Sequence, residues 1–414
     1  MKSKQKSLLS SYRVLDLTDD YGLLCGKILG DMGADVVKVE PTGGCKARNK
    51  GPFFGLEPTP ERSLYWFGYN TSKRGVTLDI ESAQGQALFH SLVAKADFVL
   101  ESFAPGYLEG LGLGFAQLQK INPRIILTSI TPFGQTGPYR DLKSSDLTIM
   151  SMSGLVWLCG DADRAPVCHN LEQVDSQAGA EAAVASLMAH YHRIRTGLGQ
   201  QIDISVRDCF VMLSGHIHHW WYYENVIQKR QGPKTERGHL CPQVVFPCAD
   251  GFISWRIFVG PQGAKTQALV DWMVEEGKAG NLAAVPWAEV DMNTVTNEQM
   301  EGWEKGFAGF FLQYPKSHLS EEAVRRGVML FPVNNVAEIL SNDQLRARNF
   351  WETVEHRELG ASLTYPGAPY KVEGPEWRIS RRAPLIGEHN EEIYCGDLGL
   401  SPSRLAQLYS QDVI

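Results

Sequence analysis

The period of apolar and polar positions changes repeatedly along the first half of the chain. Short apolar runs that are typical of strands occur at 12–17 (YRVLDL), 34–40 (ADVVKVE), 76–79, 98–101, 125–129 (IILTS) and in QQIDISV. Helical patterns lie between them at 22–32, 83–94, 115–121 and from VDSQAGAEAA to about residue 195, where TGLG ends the helix. This alternation predicts an α/β fold with a Rossmann-like, doubly wound parallel sheet. Ligands of such sheets bind beyond the carboxyl ends of the strands.

The sequence changes character after about residue 210. SGHIHHWWYYENV is crowded with aromatic and imidazole side chains, and the polar, glycine-containing QKRQGPKTERG follows it. A mixed segment with the glycine-rich turns VGPQG and EEGKAG comes next. We therefore predict a large α/β domain over 1–210, a linker over 211–240 and a smaller α+β domain over 241–345.

Composition narrows the classes of function. The 414 residues are 43% hydrophobic and 21% charged, with a formal net charge of −7, which indicates a globular enzyme and argues against nucleic-acid binding. The basic N-terminus has too short an apolar stretch for a signal peptide, and no run of 18 apolar residues follows, so we expect a cytoplasmic protein that binds no membrane. The eight cysteines are scattered, which predicts free thiols.

Two short motifs lack the spacing that a ligand site requires. The glycines of GLLCGKILGDMGAD do not fit G-x-G-x-x-G, so they indicate close helix packing rather than dinucleotide binding. The histidines of HIHH (216–219) have no carboxylate or cysteine at ligand spacing. We expect no metal there, and interpret the histidines as part of a core or an interface.

A single carboxylate, Asp175, opens the small-residue helix VDSQAGAEAA. An Asp in this place is usually a helix cap, because its oxygen accepts a hydrogen bond from an unpaired N–H of the first turn. Local sequence alone favours that interpretation.

The order of many segments is similar to that in the class III CoA-transferases, which include the formyl-CoA and carnitine CoA-transferases and the α-methylacyl-CoA racemases. The resemblance runs through RVLDLT, LGDMGADVVKVEP, NTSKRGVTLD, LESFAPGYLEGLGLG, NPRIILTSITPFGQTGPYRD, RTGLGQQIDISVRD, FPCADGF, VMLFPVNNVAEILSNDQLRARNF and PLIGEHNEEIYCGDLGLSPSRLAQL. It implies a return linker over 346–374 and completion of the large domain by about 375–414. It also implies an interlocked dimer, either a homodimer or a hetero-oligomer with a related subunit.

In that family the Asp of D-x-x-(A/S)-G, here Asp175 in DSQAG, is a covalent nucleophile. The resemblance implies an enzyme that moves CoA from an acyl-CoA, such as succinyl-CoA, to a carboxylic acid, with no tightly bound cofactor. A carboxylate can attack the thioester to form a mixed anhydride, CoA thiolate can then form an aspartyl-CoA thioester, and an incoming acid accepts CoA by the reverse steps. A helix N-terminus would favour the ionised carboxylate by about 0.3 to 1 kcal/mol.

Further site residues are implied by the same resemblance. Gly260 and Gly263 of VGPQG match a mobile loop that covers the site and could stabilise oxyanions, with an ordinary turn as the alternative. Contacts with CoA are implied for Lys143 in RDLKSSD, Lys73 and Arg74 in NTSKRG, and Phe103 in ESFAPG. Solvated charges and a core aromatic are the alternatives for these four.

Departures from the family pattern keep other functions open. Gly22, Leu23 and Leu24 replace an A-G-P turn, and arginines common in the family after KVE and at Gly110 are absent. A non-catalytic partner subunit is therefore one alternative. Racemisation of a 2-methylacyl-CoA is another, but it needs two acid/base groups, and Ser145 replaces the His that racemases carry there.

The acceptor acid is the least defined part of the prediction. The aromatics of SGHIHHWWYYEN and of WRIF could enclose a bulky acid such as an arylalkylsuccinate, with imidazoles or Arg256 on a second carboxylate. A plain dicarboxylate fits as well. The competing interpretation places these aromatics in a dimer interface.

Overall fold

The computed structural model describes residues 7–19, 21–215, 217–236, 238–374 and 377–414. Internal contacts divide the chain into two compact units. The large unit comprises Met1–Leu155, His169–His219 and Gln344–Ile414, and the small unit comprises Val156–Cys168 and Trp220–Asp343.

Six parallel strands form the sheet of the large unit, in the order β3-β2-β1-β4-β5-β6. The strands are β1 (Arg13–Leu17), β2 (Asp35–Glu40), β3 (Lys73–Thr77), β4 (Phe98–Glu101), β5 (Ile126–Thr131) and β6 (Gln201–Ser205). The strand order reverses between β1 and β4, as it does in doubly wound dinucleotide-binding folds. The predicted α/β fold with a parallel sheet is confirmed.

Strand β3 begins three residues earlier than the sequence pattern predicts. Its first residues, Lys73 and Arg74, are polar but buried, and carboxylates neutralise both. Hydrophobic periodicity does not predict the start of this strand, because its first residues are charged and are buried as ion pairs.

Helices cover both faces of the sheet. The helices up to residue 213 are α1 (Leu23–Asp31), α2 (Leu64–Tyr69), α3 (Ala83–Val93), α4 (Tyr107–Gly110), α5 (Phe115–Ile121), α6 (Asp146–Met152), α7 (Leu155–Leu158), α8 (Val174–Thr196) and α9 (Val206–Leu213). Of these, α7 belongs mostly to the small unit. Leu127 of β5 belongs to the same core cluster as Phe89 of α3. The next residue, Thr128, bonds to Ser186 of α8 at 2.8 Å. Successive side chains of a strand point to opposite faces, so α3 and α8 lie on opposite sides.

The small unit has an antiparallel sheet and its own core. Helix α10 (Ile217–Glu224) spans the boundary between the units. The elements that follow are β7 (Val245–Cys248), β8 (Gly251–Ser254), α11 (Ala264–Glu275), α12 (Asn297–Phe311), α13 (Lys316–Arg326), β9 (Phe331–Pro332) and α14 (Val336–Leu340). Trp255, Trp272 and Trp287 are buried at the centre of this core.

The chain ends in the large unit. The elements there are α15 (Asp343–Ala347), the antiparallel hairpin of β10 (Trp351–His356) and β11 (Ala361–Pro366), a π-helix (Glu391–Asp397) and α16 (Pro402–Ser410). The hairpin lies in the segment for which the sequence suggests a return linker. Tyr365 of β11 packs in one cluster with Trp66 and Phe67 of α2.

Candidate active site

A cavity of about 1150 Å³ opens at the carboxyl edge of the sheet in the large unit. Its walls come from the loops that follow β1, β2, β4 and β5, represented by Asp19, Cys45, Phe103 and Pro132. This edge, where the strand order reverses, is the place at which α/β sheets bind ligands. Asp175 lies in the wall of the same cavity.

Asp175 is the second residue of α8 and is only 4% exposed. Its Oδ1 accepts a hydrogen bond of 2.5 Å from the N–H of Gly22, the residue that precedes α1. The helix-cap interpretation of Asp175 is wrong for its own helix, since the N-cap of α8 is Gln173, whose side chain makes no capping bond. The Asp175 carboxylate lies instead at the N-terminus of a second helix, α1.

Burial and backbone hydrogen-bond donors shift the pKa of the Asp175 carboxyl in opposite directions. Burial raises the pKa of Asp175 from 3.8 to about 6. The N–H groups of Gly22 and Leu23 and the positive charges of Lys50 and Lys73 oppose that rise. At neutral pH the group is therefore mainly ionised, although little water surrounds it.

The turn before α1 requires glycine at position 22. Gly22 has φ +88°, and a Cβ on it would lie 2.3 Å from Cδ1 of Ile130. The departure from A-G-P in the sequence therefore falls on a turn that contacts the candidate nucleophile. Close packing of α8 on α1 also depends on Gly179, where a Cβ would lie 2.8 Å from Cβ of Leu24.

Three neighbours of Asp175 were missed by the sequence analysis. The Tyr65 hydroxyl lies 3.4 Å from Asp175 Oδ2, and Tyr69 bonds to Ser176 at 2.9 Å. Both tyrosines lie on α2, and the aromatic run LYWFGY was the available signal. Lys50 lies over the Tyr65 ring, with its Nζ 4.9 Å from the ring centroid.

Asp146 binds the backbone at the start of α8. Its Oδ1 accepts from the N–H of Val174 at 3.0 Å, which fixes the start of α8. Ser145, in the position of the racemase histidine, caps α6 and forms a reciprocal capping box with Thr148. A hydroxyl that caps a helix supplies no second acid/base group for racemisation.

The residues expected to contact CoA fall into two groups. Lys143 and Phe103 line the cavity with Asp175; Lys143 is exposed, and the ring of Phe103 packs 4.7 Å from that of Tyr107. Lys73 and Arg74 do not line this cavity. Of the residues predicted to form the site, Asp175, Lys143 and Phe103 therefore line one cavity.

Lys73 and Arg74 have protein partners instead. The Lys73 ammonium is fully buried and donates to Asp16 Oδ2 at 2.7 Å and to the Leu23 carbonyl at 2.9 Å. Arg74 pairs with Asp35 at 2.6 Å and with two further carboxylates. A phosphate would have to displace these pairs before either residue could contact CoA. Lys73 instead supports the turn whose N–H groups contact Asp175.

The predicted lid glycines lie in the small unit. The N–H of Gly260 donates to the Trp287 carbonyl at 2.9 Å, and the N–H of Gly263 donates to the Gly260 carbonyl at 2.8 Å. In this conformation both donors are used within the unit. A Cβ on Gly263 would lie 2.1 Å from the Trp287 carbonyl oxygen, so tight packing explains that glycine. The lid and oxyanion roles stay predictions.

The described side chains of the two aromatic segments differ in their exposure. Trp221, Tyr222 and Tyr223 are each more than half exposed. Of WRIF, Trp255 is buried in the core of the small unit, and the Arg256 guanidinium lies 4.8 Å from the Phe258 ring centroid. His216, the first histidine of HIHH, lies outside the described residues.

Comparisons with known proteins point to one family. The model of CoA-transferase family III matches residues 9–390. The succinyl-CoA:(R)-benzylsuccinate CoA-transferase subunit BbsE of Thauera aromatica is 36% identical over 94% of each chain. The succinyl-CoA–D-citramalate CoA-transferase of Chloroflexus aurantiacus is 30% identical over 98% of each chain.

A solved structure agrees with the fold. The crystal structure of a CAIB/BAIF family protein from Brucella suis superposes with a TM-score of 0.81 at 27% identity, covering 95% of this chain and all of the other. Among the described helices, none combines the length and apolar character needed to span a membrane.

Proposed function

Since the chain belongs to CoA-transferase family III and is an enzyme of that transferase class, we propose that it moves CoA from succinyl-CoA to a carboxylic acid through a covalent intermediate on Asp175. The observation that carries the proposal is a nearly buried carboxylate in the wall of a large cavity, held against the N-terminus of a second helix. Two relatives named for succinyl-CoA support the choice of donor.

The proposed reaction has four steps that balance without water. Ionised Asp175 attacks the thioester carbonyl, which releases CoA thiolate and leaves a mixed anhydride. The thiolate attacks the Asp175 carbonyl, which releases succinate and leaves an aspartyl-CoA thioester. The acceptor carboxylate attacks that thioester to form a second anhydride, and the thiolate then attacks the acceptor carbonyl, restoring the Asp175 carboxylate.

The N-terminus of α1 supplies donors for this chemistry. The Gly22 N–H that now contacts Asp175 would also face the oxygen that becomes negative when the Asp175 carbonyl is attacked. The CoA moiety would enter across Lys143 and Phe103, an exposed cation for a phosphate and an aromatic face for the nucleotide.

Substitution of the nucleophile tests the proposal. Asp175→Asn and Asp175→Ala should reduce succinyl-CoA-dependent transfer to the background while the far-UV circular dichroism stays that of the parent, because a covalent route is removed rather than weakened. Asp271→Asn, an exposed carboxylate of α11, is the matched control and should keep parent activity. Transfer by Asp175→Ala at near the parent rate would contradict the proposal.

The pH dependence gives a second, independent test. Only ionised Asp175 can attack, and its pKa is raised to about 6, so kcat/KM should fall as the pH is lowered through about 6. A profile that stays flat down to pH 4.5 would speak against Asp175 as the attacking group.

We also propose that the working enzyme is the interlocked dimer. Helix α8 carries a stripe of apolar side chains that are each more than half exposed on the single chain, namely Val184, Met188, Tyr191 and Ile194. The second chain is either another copy of this chain or a related subunit, since the relative BbsE is named as a subunit. A stable monomer in sedimentation velocity at micromolar concentration would contradict the dimer.

A further inference from the structure

Lys50 lies close to the candidate nucleophile and has no role in the four steps. It lines the same cavity, and its Nζ lies 4.9 Å from the centroid of the Tyr65 ring, whose hydroxyl lies 3.4 Å from Asp175 Oδ2. One tyrosine therefore separates this cation from the reacting carboxylate. The positive charge of Lys50 lowers the pKa of Asp175, and does so more than that of Lys73.

One partner of Lys50, the exposed Glu172, is easy to exchange. Its Nζ lies 3.2 Å from Oε2 of Glu172, and the two side chains are 31% and 53% exposed. Such an exposed ion pair contributes little to stability, so a substrate carboxylate can replace Glu172 at little cost. The buried pair of Lys73 with Asp16, both fully enclosed, offers no such exchange.

In the proposed reaction every acyl group is bound next to Asp175. Donor and acceptor acyl groups are joined in turn to the Asp175 carboxylate, so both meet the same surroundings. A charged group that enters a partly enclosed cavity has to be paired with an opposite charge. Lys50 is positioned to pair with a carboxylate at the far end of either acyl group.

We propose that Lys50 binds the free second carboxylate of the acyl group, which makes dicarboxylic acids the substrates on both sides of the transfer. This inference rests on the proposed function and goes beyond it, because it names the class of the acceptor and the residue that selects it. It also replaces Arg256 as the candidate for the second carboxylate, because Lys50 lines the cavity that contains Asp175.

The test compares two donors that differ in that carboxylate alone. The parent, Lys50→Met and Lys50→Arg are assayed at pH 8, where Asp175 is ionised, with succinyl-CoA and with butyryl-CoA, and the acceptors are succinate and butyrate labelled with carbon-13. Lys50→Met should lower kcat/KM for succinyl-CoA about 10- to 100-fold relative to butyryl-CoA, as expected for one hydrogen-bonded charge pair. Lys50→Arg should keep most of the preference, and Lys120→Met, an exposed lysine of α5, is the matched control.

Other results overturn the inference in recognisable ways. An equal loss for both donors in Lys50→Met would mean that Lys50 acts on Asp175 or on CoA and not on the second carboxylate. A parent enzyme that uses butyryl-CoA as well as succinyl-CoA would refute the selection while leaving CoA transfer intact. A parent that transfers CoA from neither donor would count against the proposed function itself.

Discussion

Replacing Asp175 by Asn should make the protein more stable at neutral pH while removing its activity. The native carboxyl is nearly buried, and burial raises its pKa from 3.8 to about 6. The folded protein therefore resists an ionisation that the unfolded chain undergoes freely. Asn has nearly the same shape, can accept the Gly22 hydrogen bond, and is never charged.

The magnitude follows from the two pKa values. A tenfold change in an ionisation constant corresponds to about 1.4 kcal/mol, so ionising Asp175 costs the fold about 3 kcal/mol. The sign depends on pH. Below about pH 4 the carboxyl is protonated in both states and nothing is lost, whereas above about pH 6 it is ionised in both and the whole cost applies. The stabilisation by Asn should thus grow from near zero at pH 4 to about 3 kcal/mol at pH 7.

Urea unfolding of the parent and of Asp175→Asn at several pH values between 4 and 8 measures this difference. Both proteins should be compared at one concentration, because a dimer makes apparent stability depend on concentration. Asp271→Asn should show no such trend, since that carboxylate is exposed. If Asp175→Asn is no more stable than the parent at pH 7, or if the difference does not change with pH, the carboxyl is not strained by burial as described.

Three further predictions concern packing, a buried ion pair and the CoA contact. Gly179→Ala should lower stability by about 1 to 3 kcal/mol in thermal unfolding and reduce kcat, because the new Cβ would lie 2.8 Å from an atom of α1. Gly302→Ala, in open space on α12, should instead stabilise the protein by about 0.5 to 1 kcal/mol. The opposite ranking of the two variants would contradict the close packing of α8 on α1. Arg48→Met leaves the buried Glu40 carboxylate without this ion pair and should lower the free energy of unfolding in urea by about 3 to 5 kcal/mol. Arg357→Met, which removes an exposed ion pair, should lower it by less than about 0.5 kcal/mol. Equal effects would be evidence against a buried pair. Lys143→Met should raise KM for acyl-CoA several-fold with little change in kcat in steady-state assays, and an unchanged KM would remove Lys143 from the CoA site.

Much of the large unit follows from local sequence. The strands and long helices of the sheet could be predicted because their apolar positions repeat with the period of their own secondary structure. The predicted start of strand β3 was three residues too late, because Lys73 and Arg74 are buried through ion pairs with residues distant in the chain. Periodicity carries no information about such pairs.

The candidate site could be predicted only in part, for a similar reason. Asp175 was found through its motif, but its hydrogen bond joins it to Gly22, 153 positions away. Tyr65 and Lys50 complete the surroundings from α2 and the segment before it. The aromatic run LYWFGY was a signal for Tyr65, but nothing in the local sequence links either residue to Asp175. The geometry that raises the pKa of Asp175 is a product of packing between helices, which only the fold supplies.

One isotope measurement tests the covalent role of Asp175 most directly. In the proposed sequence the bridging oxygen of the second anhydride comes from the acceptor, and it stays on Asp175 when CoA thiolate attacks the acceptor carbonyl. Enzyme charged with succinyl-CoA is given acceptor acid labelled with oxygen-18 for a single turnover, and the tryptic peptide from Ala165 to Arg193 is fragmented in the mass spectrometer. If Asp175 is the covalent nucleophile, one oxygen-18 appears on Asp175 and not on Glu172 or Glu181 of the same peptide. Product acyl-CoA formed with no label on Asp175 would contradict it.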